Sequence, residues 1–230
     1  MTEMKIKISC LALLLSIAIS FCKNAVAQIS VHDEPHHKTV LENQYVRLLD
    51  LNLSPDDTTV WHKHDAESFV IFLSNSILAI QNEHEEPLFG SIKPGDVVYR
   101  DYGVKPVVHR VWAAGQKSFR CMVAEISNNQ ATNDSCNNLS PSNAKMEWKQ
   151  KHVTAYRKDI FKGEKFDLAK SNCAYLVVVY AGFLKIIHEG DTRFFSAGSF
   201  VFIAPGTSAE IDNSSQENAS CILLSMNSKR

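Results

Sequence analysis

The fold is inferred from the segment WHKHDAESFVIFLS, residues 61–74. Residues 68–73 form an apolar run of strand length, rich in β-branched and aromatic side chains. His62 and His64 precede this run at positions i and i+2, which an extended chain directs to the same face. The segment therefore predicts a β-strand with two adjacent histidines at its start.

Similar patterns, separated by turns such as Lys93-Pro94-Gly95-Asp96, occur along the chain after residue 38. No long amphipathic helix is evident in the sequence, so the pattern predicts an all-β barrel or sandwich. The first half contains six predicted strands, at 45–53, 68–73, 77–81, 96–99, 107–112 and 119–126.

The chain also contains an internal repeat. Three blocks align in the same order: SFVIFLSNSILAI (68–80) with AYLVVVYAGFLKI (174–186), KPGDVVY (93–99) with SAGSFVF (196–202), and FRCMVAEI (119–126) with ASCILLSM (219–226). A repeat of roughly 100 residues is too long for a solenoid unit and indicates duplication of a small domain. Residues 128–145 between the copies are polar and rich in Asn and Ser, which is typical of a linker. We predict a first module at 39–127 and a second at 146–230.

Residues 1–27 have the composition of a secretory signal peptide. Lys5 and Lys7 precede an apolar run at 8–21, and Ala25-Val26-Ala27 provides a cleavage site. The run is shorter than the roughly 20 residues that span a bilayer, so we expect cleavage after Ala27 and no membrane association afterwards. The mature protein is then periplasmic or secreted, with an N-terminal segment at 28–38 before the first module.

The charge of the chain narrows the class of partner. The formal net charge is −1, from 24 basic and 25 acidic residues. This balance gives no electrostatic support for binding nucleic acid or an anionic membrane. We expect small molecules or other proteins as partners.

Removal of the signal peptide leaves Cys121, Cys136, Cys173 and Cys221 in an oxidising compartment. Four cysteines allow three pairings, and the sequence does not choose among them. One hypothesis pairs Cys173 with Cys221 and Cys121 with Cys136. The alternative is free cysteines buried in strands.

A third histidine, His109, lies in a later strand pattern that an antiparallel barrel can place beside His62 and His64. Three imidazoles suit a divalent transition metal such as iron, manganese, nickel, copper or zinc. The order His-x-His, β-hairpin, Pro-Gly turn and third histidine resembles the cupin superfamily, as does LENQYVR at 41–47. The resemblance covers both modules. It implies two tandem double-stranded β-helix (jelly-roll) barrels, a metal at the barrel mouth and a possible homodimer.

The resemblance also implies a glutamate ligand three or four residues after the second histidine. Here that spacing reaches Phe69, and Glu67 comes two residues earlier. Glu67 and Phe69 share a strand face, so Glu67 remains a predicted metal ligand. Asp65 is a candidate for orienting a histidine.

Other polar and aromatic residues carry weaker signals. The cluster at His32, His36 and His37 is a candidate for metal binding, but we interpret it as part of a mobile polar terminus. For the aromatic residues, core packing and lining of a cavity are alternatives, and for the arginines solvation and substrate binding are alternatives. The residues concerned are Trp61, Phe69, Phe72, Tyr99, Tyr102 and Trp112, and Arg47, Arg100 and Arg110.

In the aligned second module, Leu168, Lys170 and Ala209 replace His62, His64 and His109. This predicts that the second module has no metal site and acts as a structural partner. Three functions stay open: a metal-dependent dioxygenase, isomerase or lyase acting on a small organic molecule, a non-catalytic protein that binds a metal or small ligand, and a structural protein. General acid–base candidates are Glu67, Tyr99, Asp101 and Tyr102.

Overall fold

The computed structural model describes residues 28–127 and 143–227. The predicted signal peptide, its cleavage site and residues 128–142 of the predicted linker lie outside the described residues. Apart from one 3₁₀ turn at Val31–Asp33, the regular elements of the described part are all β-strands. The described part therefore contains no helix that is long and apolar enough to cross a membrane.

The first barrel consists of two five-stranded sheets with strand orders β1-β4-β9-β6-β7 and β2-β3-β10-β5-β8. All six strands predicted for this half are present, and the strand at 119–126 has the predicted bounds. The strands are β1 Ile29–Ser30, β2 His37–Glu42, β3 Val46–Leu53, β4 His62–His64, β5 Glu67–Phe72, β6 Ser76–Asn82, β7 Leu88–Ile92, β8 Val97–Asp101, β9 Val107–Ala113 and β10 Phe119–Ile126.

The second barrel repeats most of this topology. Its sheets have the orders β11-β12-β19-β14-β17 and β13-β18-β15-β16, which match the first barrel except that the described residues contain no counterpart of β1. The structure thus agrees with a duplicated all-β jelly-roll. The strands are β11 Lys145–Lys149, β12 Val153–Ile160, β13 Lys165–Leu168, β14 Cys173–Ala181, β15 Phe183–His188, β16 Asp191–Ser196, β17 Phe200–Ile203, β18 Ala209–Asp212 and β19 Ala219–Asn227.

Alternation along the strands creates three apolar cores. In β10, Cys121 and Val123 belong to the core inside the first barrel. Met122 and Ala124, on the other face, belong to a core that the two barrels build together. A third core fills the second barrel. Because full burial of a large apolar side chain stabilises by roughly 1.5–3 kcal/mol, the shared core holds the two modules together.

Two arginines connect the barrels reciprocally. Arg157 of the second barrel donates to the carbonyl oxygen of Gly95 at 2.6 Å, and Arg120 of the first donates to that of Gly198 at 3.1 Å. Gly95 and Gly198 occupy equivalent turns in the repeat, with φ of 86° and 85°. Left-handed backbone of this kind favours glycine at both positions.

The hypothesis for the disulfides is wrong. Cys121 and Cys221 are free and buried, whereas Cys173 is disulfide-bonded. Cys221 pairs with Val179, six residues along β14 from Cys173, so strand geometry separates the two cysteines by roughly 20 Å. Cys136 lies outside the described residues.

Candidate metal centre

The three predicted histidines converge at one end of the first barrel. His62 and His64 point to the same side of β4, and His109 of β9 lies directly opposite His62 in antiparallel register. The three rings are mutually 4.8–5.0 Å apart between centroids. All three residues are at least 94% buried, as their exposed fractions are 0%, 3% and 6%. The strand alternation and the cross-strand pairing inferred from the sequence produce this cluster.

A fourth histidine, His37, joins the cluster. It begins β2, pairs with Leu51 of β3, and its ring centroid lies 4.8 Å from that of His62. Ligand atoms of His37, His62 and His64 all lie within 4.8 Å of one another. The interpretation of His37 as part of a mobile polar terminus is wrong, since His37 is buried and paired in β2. It was favoured because nothing in the spacing of His37 connects it to β4. The available signal was the dense HDEPHH motif at residues 32–37.

His37 reaches the site because the N-terminal segment folds onto the barrel rather than extending from it. Ile29 and Ser30 form β1, parallel to β4, with Ile29 paired to His62. Val31 is 99% buried in the core of the first barrel. The first barrel therefore begins before the predicted boundary at residue 39.

The same segment buries a carboxylate, Glu34, which is 1% exposed. Its oxygens accept hydrogen bonds from Nδ1 of His37 at 2.7 Å and Nδ1 of His36 at 2.9 Å. They also accept from the backbone N–H groups of His36, His37 and Val60. Burial acts to raise the pKa of Glu34, but the hydrogen bonds from His37 and His36 outweigh it and bring the pKa to about 2. Glu34 is therefore ionised, and it accepts a hydrogen bond from Nδ1 of His37, which is the arrangement by which a carboxylate orients a metal-ligating histidine.

Burial keeps the imidazoles of His62, His64 and His109 neutral. Desolvation, reinforced by neighbouring histidines, lowers the pKa of His62 to about 4 and that of His109 to about 3. The pKa of His64 is lowered well below its usual value for the same reasons. Metal ligation requires the neutral imidazole, so these groups are in the right form at pH 7.

The nitrogen atoms of these rings fit a metal. Nδ1 of His62 lies 2.8 Å from the carbonyl oxygen of Val60 and donates to it, which leaves Nε2 as an acceptor. Within the described residues, this buried Nε2 has no hydrogen-bond partner, and neither do the buried Nδ1 atoms of His64 and His109. Buried polar atoms are normally paired, so these nitrogen atoms fit a bound cation.

Glu67 does not join the histidines. It shares a face of β5 with Phe69 and Ile71, as inferred from the sequence, but both of those side chains belong to the core between the barrels. Glu67 hydrogen-bonds with Tyr99, whose ring lies 6.1 Å from that of Trp148 in the second module. The barrel-facing residues of β5 are Ser68, Val70 and Phe72, so the strand face predicted to carry a ligand points away from the site. Asp65 pairs with Lys63 at 3.2 Å instead of with a histidine.

A cavity of about 160 Å³ adjoins the histidines inside the first barrel. His37, His64 and His109 form part of its wall, together with apolar side chains and the polar residues Arg100 and Tyr102. Of the predicted acid–base candidates, Tyr102 alone lines this cavity. Of the predicted aromatic residues, Phe72 and Tyr102 line it, whereas Phe69 and Tyr99 contribute to the core between the barrels.

Arg110 lies on the opposite face of β9 from His109, as expected. Its guanidinium carbon is 5.0 Å from the ring centroid of Trp61 and 5.7 Å from that of Trp112. These aromatic rings therefore stack with Arg110 outside the barrel rather than lining the cavity.

The described part of the second barrel has no counterpart of the cluster. Leu168 of β13 lies opposite Ala209 of β18, in the register that His62 and His109 have in the first barrel. Both residues are buried in the apolar core. The loss of ligands that the sequence repeat predicted is therefore visible at structurally equivalent positions.

These features give the chain the cupin fold in a two-barrel arrangement, and comparison with solved structures agrees. No protein-family model and no curated protein matches the sequence. A cupin 2 conserved barrel domain protein from Leptotrichia buccalis superposes with a TM-score of 0.55 at 15% identity, covering 83% of this chain and 88% of that one. Oxalate decarboxylase from Lactobacillus farciminis, in a formate complex, gives 0.57 at 12% identity, covering 90% and 88%. Salicylate 1,2-dioxygenase from Pseudaminobacter salicylatoxidans gives 0.55 at 8% identity, covering 80% and 71%.

Proposed function

We propose that this protein is an exported metal-dependent enzyme that acts on a small organic molecule at the mouth of the first barrel. His37, His62, His64 and His109 would hold one divalent transition metal. The observation that carries the proposal is the convergence of four buried histidine rings. Ligand atoms of His37, His62 and His64 lie within 4.8 Å of one another, and His109 joins them through its ring contacts with His62 and His64. Within the described residues, Nε2 of His62 has no hydrogen-bond partner. Imidazole ligands suit iron, manganese, nickel, copper and zinc.

A metal held there supplies Lewis-acid or redox chemistry, as a dioxygenase, isomerase or lyase requires. The protein's own residues prepare the site for it. Glu34 orients His37, and the carbonyl group of Val60 orients His62. The N-terminal segment covers this side of the site, since Ile29 pairs with His62 and both Glu34 and His62 are buried. Two of the structural neighbours are named for reactions on oxalate and salicylate, which supports a small organic substrate.

One feature favours a second candidate, a protein that binds a metal or small ligand without turnover. Four imidazole ligands occupy more coordination positions than the three protein ligands typical of catalytic zinc, which leaves fewer for a substrate. Full metal occupancy, together with no turnover and no binding of a substrate at the metal, would favour this candidate.

The first experiment measures metal content. The mature protein is reconstituted with each of the five metals and analysed by elemental mass spectrometry, beside His62→Ala, His109→Ala and His37→Ala. We expect close to one equivalent in the wild type, loss in the His62 and His109 variants, and at least a tenfold weaker site in His37→Ala. His188→Ala, which alters a histidine of the second barrel, is the control and should bind as the wild type does. Absence of metal after all five reconstitutions would overturn the proposal.

Export is part of the same proposal. The signal-like segment at residues 1–27 predicts a mature chain that starts at Gln28. This residue directly precedes β1, which pairs with β4. N-terminal sequencing of protein from the periplasmic fraction tests this, and an intact residue 1 in that fraction would contradict cleavage.

A further inference from the structure

The inner wall of the cavity beside the histidines consists of apolar side chains. Its wall includes Val70 and Phe72 of β5, Val98 of β8, Ile80 of β6 and Val111 of β9. Its volume of about 160 Å³ is similar to that of a protein cavity of about 150 Å³ that accommodates benzene. An occupant therefore has a compact apolar body of about six to eight non-hydrogen atoms.

The rim of the cavity carries one guanidinium group. Arg100 lies opposite Ser68 in the pairing of β8 with β5, so alternation places it on the barrel-facing side with Val98. Its Nη1 donates to the carbonyl oxygen of Tyr99 at 2.9 Å, which leaves further N–H groups available. Within the described ranges, no carboxylate lies within 4.0 Å of it. Arg47 lies in the same row of paired residues across the sheet, through Glu125 and Ser68. Unlike Arg100, it has carboxylate partners, since Glu42 and Glu125 lie 2.7 Å and 3.3 Å from it.

Tyr102 lies between Arg100 and the histidines. Its ring centroid is 5.1 Å from that of His64 and 6.5 Å from that of His109. Its hydroxyl group is within hydrogen-bonding reach of Arg100. A tyrosine hydroxyl group carries its proton at neutral pH and can donate a hydrogen bond to an anion.

We infer that the first barrel binds a small monocarboxylic acid, whose carboxylate pairs with Arg100 and Tyr102 and whose apolar body fills the cavity beside the histidines. A guanidinium group offers a carboxylate two parallel hydrogen bonds. One unpaired arginine matches a single negative charge better than the two charges of a phosphate ester. This assignment of the ligand class rests on the proposed function, because the same histidines form the wall of the cavity.

The test compares matched ligands on the mature, metal-loaded protein by isothermal titration calorimetry. Benzoate and hexanoate are the carboxylate probes, and benzamide and hexanol are their uncharged counterparts. We expect benzoate to bind at least tenfold more tightly than benzamide, and Arg100→Gln to abolish that preference. Arg100→Lys should restore part of it, since charge without the planar fork pairs less well. Arg110→Gln, which alters the arginine outside the barrel, is the matched control and should leave the preference unchanged.

A second variant tests the cavity. Val98→Phe, which fills the cavity, should remove hexanoate and benzoate binding while the metal content stays at the wild-type value. Metal content is measured for every variant. Absence of metal would contradict the proposed function. A metal-loaded protein that binds no carboxylate would contradict this inference alone. Equal affinities for benzoate and benzamide, tighter binding of phenyl phosphate than of benzoate, or carboxylate binding that survives in both Arg100→Gln and Val98→Phe would each overturn it.

Discussion

The two barrels share their strand order but have different interiors. At one pair of facing positions the first barrel has His62 and His109, and the second has Leu168 and Ala209. The first keeps a cavity beside buried imidazoles, some of whose nitrogen atoms have no hydrogen-bond partner within the described residues. In the second, an apolar core that includes Phe166 and Leu184 fills the interior. The comparison shows that the barrel fold forms without the histidines. Their burial costs free energy that the second barrel avoids, which is expected of a site kept for function.

The largest expected effect follows from transferring the second barrel's residues to the first. The double variant His62→Leu/His109→Ala should lose metal binding by at least 100-fold. The metal-free protein should remain folded, with a free energy of unfolding unchanged or raised by about 1 kcal/mol, because apolar groups replace buried unsatisfied ones. Elemental analysis and urea unfolding measure the two effects.

The reverse exchange is the control for this prediction. Leu168→His/Ala209→His should bind no metal, because Lys170 stands where the first barrel has His64. It should lower the free energy of unfolding by about 2–4 kcal/mol, because it buries polar groups without partners. Tight metal binding by this variant would show that two facing histidines suffice and would contradict the four-histidine site.

The N-terminal segment is a second difference, since the described part of the second barrel contains no counterpart of β1. Glu34→Gln removes the charge that orients His37 while keeping the side-chain size. We expect metal affinity to fall about 10–100-fold, the usual cost of losing such a support. Competition against a chelator measures it. His36→Ala, which removes the other imidazole bonded to Glu34, should change affinity less than threefold, and an equal effect of the two variants would argue against orientation through His37.

The next comparison concerns a charge inside the second barrel. Lys158 is 2% exposed and donates to Glu164 at 2.7 Å, whereas its equivalent in the first barrel, by the pairing with Cys121 and Cys221, is Leu51. Glu164→Gln should lower the free energy of unfolding by about 1–2 kcal/mol, because it leaves Lys158 buried without a counter-charge. Lys158→Leu should be close to neutral.

The same pair predicts a pH dependence. The hydrogen bond from Lys158 lowers the pKa of Glu164 below 4.5 in the folded protein. A lowered folded-state pKa gives stability that is present above pH 4.5 and lost as the pH falls through the lowered value. Urea unfolding from pH 7 to pH 3 should show this loss in the wild type, and a smaller loss in Lys158→Leu. Identical slopes in both proteins would contradict the pairing.

The smallest expected effects concern the reciprocal contacts between the barrels. Arg157→Gln and Arg120→Gln each remove a charged donor from a turn carbonyl group in the other barrel. Because both arginines are partly exposed, we expect losses of about 1 kcal/mol each in the free energy of unfolding. Lys149→Gln, on an exposed strand position, should be neutral. A loss confined to one arginine would show that the two contacts are not equivalent despite the symmetry of the repeat.

Much of this molecule was predictable because it depends on short-range or repeated patterns. Alternation along strands placed His62 beside His64, and comparison of the two copies located the loss of ligands at Leu168 and Ala209. The third histidine of the cluster, His109, needed the resemblance as well, since strand pairing between distant segments does not follow from local pattern alone.

The tertiary structure decided the rest. Alternation shows which residues of β5 share a face, but only the packing of one barrel against the other shows that the face with Glu67 points away from the metal centre. His37 and Glu34 reach the site because the N-terminal segment packs along β4, a contact that no spacing in the sequence encodes. The sequence by itself thus determined the duplicated barrel and three of its histidines. The fourth histidine, its carboxylate support and the bonding state of the cysteines depend on distances between segments far apart in the chain, which only the folded molecule fixes.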